Sequence, residues 1–196
     1  MVDLEKDCEM VVLSEEQIIL DFNCGNTDLN DFFNRDALAY KQQMLSQTIF
    51  FRHNSSGAIV CAFSFSASSI KTADLPGSRR KKVKELVPRE KSLKSYSGIL
   101  IGRLGVSTEF SGQGTGSQLI DFIKDFCLVN FPDFVRYLLV DAYNEPAIIG
   151  FYEKNYFKTV FSTGEQEKQT YRQSSDETLQ TRYMFYDMIQ WRNRMY

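Results

Sequence analysis

Cysteine is scarce in this chain and histidine almost absent. Four cysteines stand far apart, at Cys8, Cys24, Cys61 and Cys127, and His53 is the single histidine. With no C-x-x-C pair and no second imidazole, the sequence spells out neither a zinc-ligand set nor a disulfide framework, so the thiols read as free and no metal is expected. His53 falls in His-Asn-Ser-Ser-Gly, a turn composition between two strand-like runs, which speaks against histidine-based acid–base chemistry. Long apolar runs are lacking too; none reaches the roughly 20 residues of a membrane span. The opening Met-Val-Asp-Leu-Glu-Lys-Asp lacks the basic-then-apolar order of a secretory leader. The expectation is a cytoplasmic protein with no membrane partner.

What is present suits a globular protein. A chain of 196 residues with 43% hydrophobic residues can bury a substantial core in one domain of ordinary size. The net charge of −2 conceals an asymmetry. Between Ser78 and Lys94 there are eight basic residues and two acids, an excess of six positive charges that leaves the remainder strongly acidic. Arg79, Arg80, Lys81 and Lys82 form its densest part. Such a segment on an acidic body suits a local anion-binding face, for RNA among others, or else a solvated loop.

The elements alternate in type. Glu9–Ser14 is expected as a first strand, an apolar run that does not by itself separate strand from helix. A helix is expected from an N-cap at Thr27 towards Met44, with Asp28, Asn30 and Asp31 favoured by its dipole and Leu29, Phe32, Phe33, Ala37 and Tyr40 on one face. Runs 47–52 and 58–69 flank the Asn-Ser-Ser-Gly turn as a hairpin. Residues 96–106 read as a long strand, 117–131 as a helix with Leu119, Ile120, Ile123, Phe126 and Cys127 inward, and 137–142 as a strand of the buried parallel kind. A helix is expected after Asn144 as N-cap, with Pro146 in its first turn. Strands at 157–162 and 181–188 close the chain. This order gives an α/β (α+β) fold rather than a doubly wound sheet.

Five glycines fall within the fifteen residues from Gly102 to Gly116, between the long strand and the following helix. Where Gly112, Gly114 and Gly116 join a strand end to a helix start, missing Cβ atoms let successive amides converge on one point, and the helix dipole adds to them. That is an anion site suited to a phosphate or pyrophosphate. A P-loop would need Gly-Lys-Ser/Thr after four residues intervening from Gly112, where Ser117 stands without a lysine; a dinucleotide fingerprint would need its third glycine at that same serine.

The spacing that fits resembles the GNAT acetyltransferases, over about residues 9 to 188. Their Arg/Gln-x-x-Gly-x-Gly/Ala motif corresponds to Ser111-Gly112-Gln113-Gly114-Thr115-Gly116, with Ser111 in place of the long Arg/Gln side chain. A second block, Leu138 to Phe157, is similar to the family's later strand and a helix ending in Phe151-Tyr152-Glu153. The resemblance implies a single GNAT-type acetyltransferase domain over residues 1–196, with a mixed central sheet, splayed central strands, flanking helices and a basic insertion at about 76–95. It implies acetyl-CoA as cofactor, held by Leu104, Gly105 and Val106 at the strand end, by Ser111 to Ser117 and by Asn144. Tyr152 becomes the acid that protonates the departing thiolate; on its own it reads as an amphipathic core tyrosine.

Within that family the chain is most similar to acetyltransferase toxins of toxin-antitoxin pairs, which share an early Phe-x-Cys-Gly segment, here Phe22-Asn-Cys-Gly-Asn-Thr-Asp-Leu-Asn-Asp-Phe32, a basic stretch and a strand like Leu100 to Val106. Such toxins acetylate the α-amine of aminoacyl-tRNA. The resemblance extends the partners to aminoacyl-tRNA, a ribbon-helix-helix antitoxin and a second copy of the chain, with Arg79, Arg80, Lys81 and Lys82 contacting tRNA. An α-amine with a pKa of about 7.7 to 8.0 is easier to deprotonate at neutral pH than a lysine near 10.4, by about 3.5 kcal/mol. A site with no evident base suits it: Glu109, Asp141 and Tyr143 are candidates and none is assigned. The alternatives are a GNAT acting on a small-molecule or protein amine, and a GNAT-like module that binds an acyl-CoA without turnover.

Overall fold

The structure is a computed structural model that describes residues 2–19, 21–87, 93–174 and 176–195. Backbone contacts group into two compact units, Met1–Ser66 with Ile101–Phe126, and Ala67–Leu100 with Cys127–Tyr196.

In the first unit a short helix, α1 (Leu4–Asp7), is capped by the Asp3 carboxylate, which accepts from the amides of Glu5 and Lys6. Strand β1 (Cys8–Val12) pairs antiparallel with β2 (Gln47–His53), which pairs antiparallel with β3 (Ile59–Lys71). The expected hairpin is closed by the His53 amide donating to Ala58 O, with Gly57 at φ +74°. The expected helix after Phe22 is present in three pieces: α2 (Thr27–Asp31), a π-helical turn (Phe32–Asp36) and α3 (Ala37–Gln42). Its cap is Asn26, one residue before the expected Thr27, with the Asn26 side chain accepting from Leu29 N. In a regular α-helix adjacent residues point about 100° apart. The wider π turn brings both Phe32 and Phe33 inward, 5% and 2% exposed, with Phe33 edge-on to Phe22 at 5.3 Å.

Residues 48 to 51 of β2 are all buried, so this strand is covered on both faces. Phe50 joins the core under the helical segment, while Phe51 meets Phe122 of α5 (Thr115–Asn130) edge-on at 4.8 Å. Leu119, Ile120, Ile123 and Cys127 of α5 are buried as expected.

In the second unit β5 (Tyr137–Tyr143) pairs antiparallel with β7 (Thr181–Asp187), and β6 (Lys158–Thr159) lies along the same strand. The apolar run expected as a strand of the buried parallel kind is buried from Tyr137 to Val140, and its pairing with β7 is antiparallel. The expected strand at 157–162 shortens to two residues, because the Thr163 side chain caps α7 (Gly164–Tyr171) immediately afterwards. Helix α7 was not expected, nor was α8 (Ile189–Met195). The basic segment contains α4 (Gly77–Val83), whereas Arg89, Glu90 and Lys91 lie outside the described residues.

Tyr137 fixes α4: its hydroxyl donates to Val83 O at 2.8 Å, and burial pushes its pKa up to about 12. With its folded pKa raised above the unfolded value near 10, the group contributes fully below pH 10, and that contribution is lost as pH rises towards 12. About 2 to 3 kcal/mol is expected to disappear over that window. A melting series from pH 8 to 11.5, run beside Tyr137→Phe, checks it: the variant's decline should be shallower.

The seven strands follow the order β1-β2-β3-β4-β5-β7-β6 in one mixed sheet, β4 being Ser95–Val106. This is the α+β class expected. No helix among the described residues is long and apolar enough to cross a membrane.

Candidate functional site

The glycine loop belongs to the first unit. After β4 the chain makes a 3-10 turn at Thr108–Phe110 and enters α5 through residues 111 to 114. Gly112 and Gly114 have φ of +72° and +85°, a region that penalises any Cβ, and a Cβ built on either would meet nothing within 4 Å. The backbone is turned inside out beside open space. The loop is held from below by Thr115, whose buried hydroxyl donates to Phe110 O at 2.9 Å, by Ser111 Oγ donating to Thr108 O, and by the amides of Ser117 and Gln118 donating to Gly114 O. Among the described residues the amides of Gln113, Gly114, Thr115 and Gly116 have no acceptor. No acid occupies the first turn of α5, so nothing neutralises the positive end of its dipole. Four unengaged amides at the start of a 16-residue helix, with two glycines opening the approach, fit a diphosphate.

Gly105 serves a different purpose from the loop glycines. A Cβ there would lie 3.1 Å from the Phe22 ring and 3.2 Å from Cys24 Sγ, so the strand end is packed onto the Phe22-Asn-Cys-Gly segment. That segment is pinned in turn. Asn34 accepts from Phe22 N and donates to Phe22 O, Asn30 Oδ1 accepts from Cys24 N, and the Thr108 amide donates to Asn23 O. The early motif buttresses the entry to the loop. Asn30 was expected only as a first-turn residue favoured by the dipole and Asn34 not at all; their spacing of one helical turn opposite a glycine turn was the available signal for this pinning role. Leu104 and Val106 are half-buried at the same strand end.

Tyr152 belongs to the second unit, on α6 (Pro146–Lys154). The helix starts with Pro146 in its first turn, but its backbone cap is Glu145 rather than Asn144. The Asn144 side chain instead donates to Leu179 O at 3.0 Å, and its amide donates to Gln180 O, tying the end of β5 to the strand beside it. At its other end α6 closes with two crossed bonds: Phe157 N to Tyr152 O and Tyr156 N to Glu153 O. The apolar contact that accompanies such a stop is Phe157 against Tyr152, ring centroids 5.4 Å apart, with Phe151 on another side at 5.1 Å. The helix stop therefore positions the phenol. Tyr152 is 8% exposed, its hydroxyl has no hydrogen-bond partner among the described residues, and burial pushes its pKa well above the usual tyrosine value.

The basic residues sit on α4 in the same unit, and the two arginines are already engaged. Arg79 donates from Nε to Val160 O and from Nη2 to Thr159 O, both at 2.6 Å, and Arg80 donates to the carbonyls of Thr72, Ala73 and Leu75. Lys81 is exposed. Lys82 is half-buried, its pKa lowered by desolvation and by the positive charges of Arg79 and Lys158. Arg79→Ala is expected to cost about 2 kcal/mol, a fall of roughly 4 to 8 °C in melting temperature, while Lys81→Ala stays within about 0.5 kcal/mol of the parent. Thermal melts of the two variants separate a structural arginine from a free lysine.

Of the base candidates, Asp141 has its pKa raised by desolvation and lies near enough to Tyr171, Tyr183 and Glu167 to raise theirs. The four cysteines are free, and no cluster able to hold a metal is found among the described residues.

No protein-family model matches the chain, and no curated protein sequence matches it. Solved structures do. AtaT complexed with acetyl-methionyl-tRNAfMet is 19% identical over 97% of this chain and 100% of its own, with a TM-score of 0.72. AtaTR bound with AcCoA is 17% identical over 97% and 99%, TM-score 0.71, and a tyrosine-to-phenylalanine mutant of KacT is 16% identical over 96% and 99%, TM-score 0.69. Nearly the whole length of each is covered. The chain has the fold of the GNAT acetyltransferase toxins.

Proposed function

We propose that this protein is an acetyl-CoA-dependent N-acetyltransferase that modifies the α-amine of aminoacyl-tRNA and thereby blocks translation as the toxin of a toxin-antitoxin pair. The observation that carries the reading is the loop at 111–117: left-handed Gly112 and Gly114 beside open space, with unengaged amides at the head of α5, on a fold that covers all of an AtaT solved with an acetylated aminoacyl-tRNA.

The residues present fit the coenzyme. Amides of Gln113 to Gly116 hold its diphosphate, with Ser111, Gly112 and Ser117 framing them, and Leu104, Gly105 and Val106 offer backbone along the pantetheine arm. The coenzyme supplies an activated acetyl thioester. Tyr152 keeps its proton at neutral pH because burial disfavours the phenolate, and it donates that proton to the leaving sulfur. Such a transfer works when the sulfur is desolvated in the same apolar surroundings, which raises the thiol's proton affinity as well. Asn144 acts by fixing the strand end from which α6 departs. No side chain is required as base for an amine with a pKa near neutrality.

On the acceptor side Lys81 and Lys82 contact phosphates, and Arg79 and Arg80 hold their helix in place. Incubation with labelled acetyl-CoA and, separately, charged tRNA, polyamines and bulk protein tests the acceptor: label is expected on charged tRNA, and label on polyamine or protein alone would overturn that part. Lys81→Glu with Lys82→Glu is expected to raise KM for charged tRNA about tenfold at low salt and to flatten its salt dependence. A protein or small-molecule acceptor is the second reading, favoured by the two arginines being occupied with main-chain carbonyls. The partners that go with the first reading are a ribbon-helix-helix antitoxin and a second copy of the chain, in the cytoplasm.

A further inference from the structure

Tyr156 occupies a position where a tyrosine is out of place. It follows the last turn of α6 at φ +68°, the left-handed residue of the helix stop, where glycine is usual because a Cβ there costs about 1 to 2 kcal/mol. Core packing does not offset that cost, since Tyr156 is 56% exposed. What the ring does touch is a cation: the Arg194 guanidinium of α8 lies 4.8 Å from its centroid, and the same guanidinium is 5.9 Å from the ring of Trp191. Two residues on, Lys158 begins β6, near enough to Lys82 of α4 for its charge to lower the pKa of Lys82. Two acids share the neighbourhood, Glu85 at 3.8 Å from Lys158 and Glu153 beside Lys82.

We propose that Tyr156, braced by Arg194, is a platform on which an unpaired base at the aminoacyl end of tRNA stacks, with Lys158 and Lys82 taking adjoining phosphates. The inference rests on aminoacyl-tRNA being the acceptor. An exposed aromatic ring with a guanidinium on it presents flat surfaces that every base can cover, and flanking lysines track a backbone. A duplex hides its base faces, so the occupant is the single-stranded end. Strain kept at an exposed residue is consistent with selection for binding rather than for folding.

The test compares efficiencies. For the full-length protein, kcat/KM is measured on a mixed pool of aminoacylated tRNA and on amino-acid methyl esters that carry no RNA. Tyr156→Gly, which relieves the left-handed strain, is expected to lower the tRNA-to-ester ratio about tenfold without lowering the melting temperature. Arg194→Ala, outside the helix stop, is expected to act in the same direction and to weaken binding of uncharged tRNA measured by fluorescence anisotropy. Unchanged ratios in both variants, with an active parent, overturn the platform alone. A parent that acetylates the esters but never charged tRNA overturns the acceptor reading, and the platform with it.

Discussion

Tyr152→Phe is expected to lose about 10²- to 10⁴-fold in acetyl transfer while remaining folded and still binding acetyl-CoA. The split follows from what the hydroxyl does in the fold, which is little. Its ring contacts, Phe157 at 5.4 Å and Phe151 at 5.1 Å, survive the substitution. The lost hydroxyl has no hydrogen-bond partner among the described residues, so removing it from a residue 8% exposed leaves stability unchanged or slightly raised. Because burial holds the phenol's pKa above the ordinary value, Tyr152 stays protonated through neutral pH and produces no alkaline fall in rate below about pH 10. The parent's rate should instead rise with pH to a plateau set by the acceptor amine. Coenzyme release followed with a thiol-reactive dye, calorimetric titration with acetyl-CoA and a thermal melt decide the matter together. A variant that keeps its rate removes Tyr152 from catalysis, and one that loses coenzyme binding in proportion makes it a packing residue.

The features of the site that could be read in the sequence are those whose signal is local. Glycines at 112, 114 and 116 between an apolar run and an amphipathic one specify a turn into a helix, and the structure puts two of them at positive φ beside open space. Asn-Ser-Ser-Gly specifies a hairpin for the same reason. Features that failed to show depend on distant partners. Six successive residues from Arg79 that include five cations read as an anion-binding face or a solvated loop, yet Arg79 finds carbonyls about 80 positions away and Tyr137 reaches back to Val83, so α4 is fixed by the strands it meets. The end of α6 was expected from the resemblance at Phe151-Tyr152-Glu153, but its left-handed stop had no local signal, because a tyrosine stands where glycine would have announced it. The shared burial of Phe32 and Phe33 was expected from their spacing, but the π turn at Phe32–Asp36 that accompanies it has no signal in the periodicity. Helix α7 is mostly polar, and what anchors it is the burial of Glu167, 2% exposed, whose carboxylate accepts from Arg182 Nε at 2.8 Å and from Tyr183 N.

The glycine loop supports the second large effect. Gly114→Ala is expected to raise the Kd for acetyl-CoA about 10- to 100-fold, a loss of roughly 1.4 to 2.8 kcal/mol in binding. Two causes contribute, and a pair of variants separates them. At φ +85° the alanine Cβ strains the backbone by about 1 to 2 kcal/mol, which lowers the melting temperature by a few degrees. Asparagine tolerates that region far better, so Gly114→Asn should melt close to the parent. Apart from its chain neighbours, nothing among the described residues lies within 4 Å of a Cβ at this position, so the new side chain enters space open to ligand or solvent. If the loop is the diphosphate cradle, Gly114→Asn loses coenzyme affinity despite its intact fold, and inorganic pyrophosphate, which should compete weakly with acetyl-CoA on the parent, ceases to compete on the variant. If Gly114→Asn binds acetyl-CoA as the parent does, the left-handed glycines serve only to turn the chain from β4 into α5, and the coenzyme must be held elsewhere.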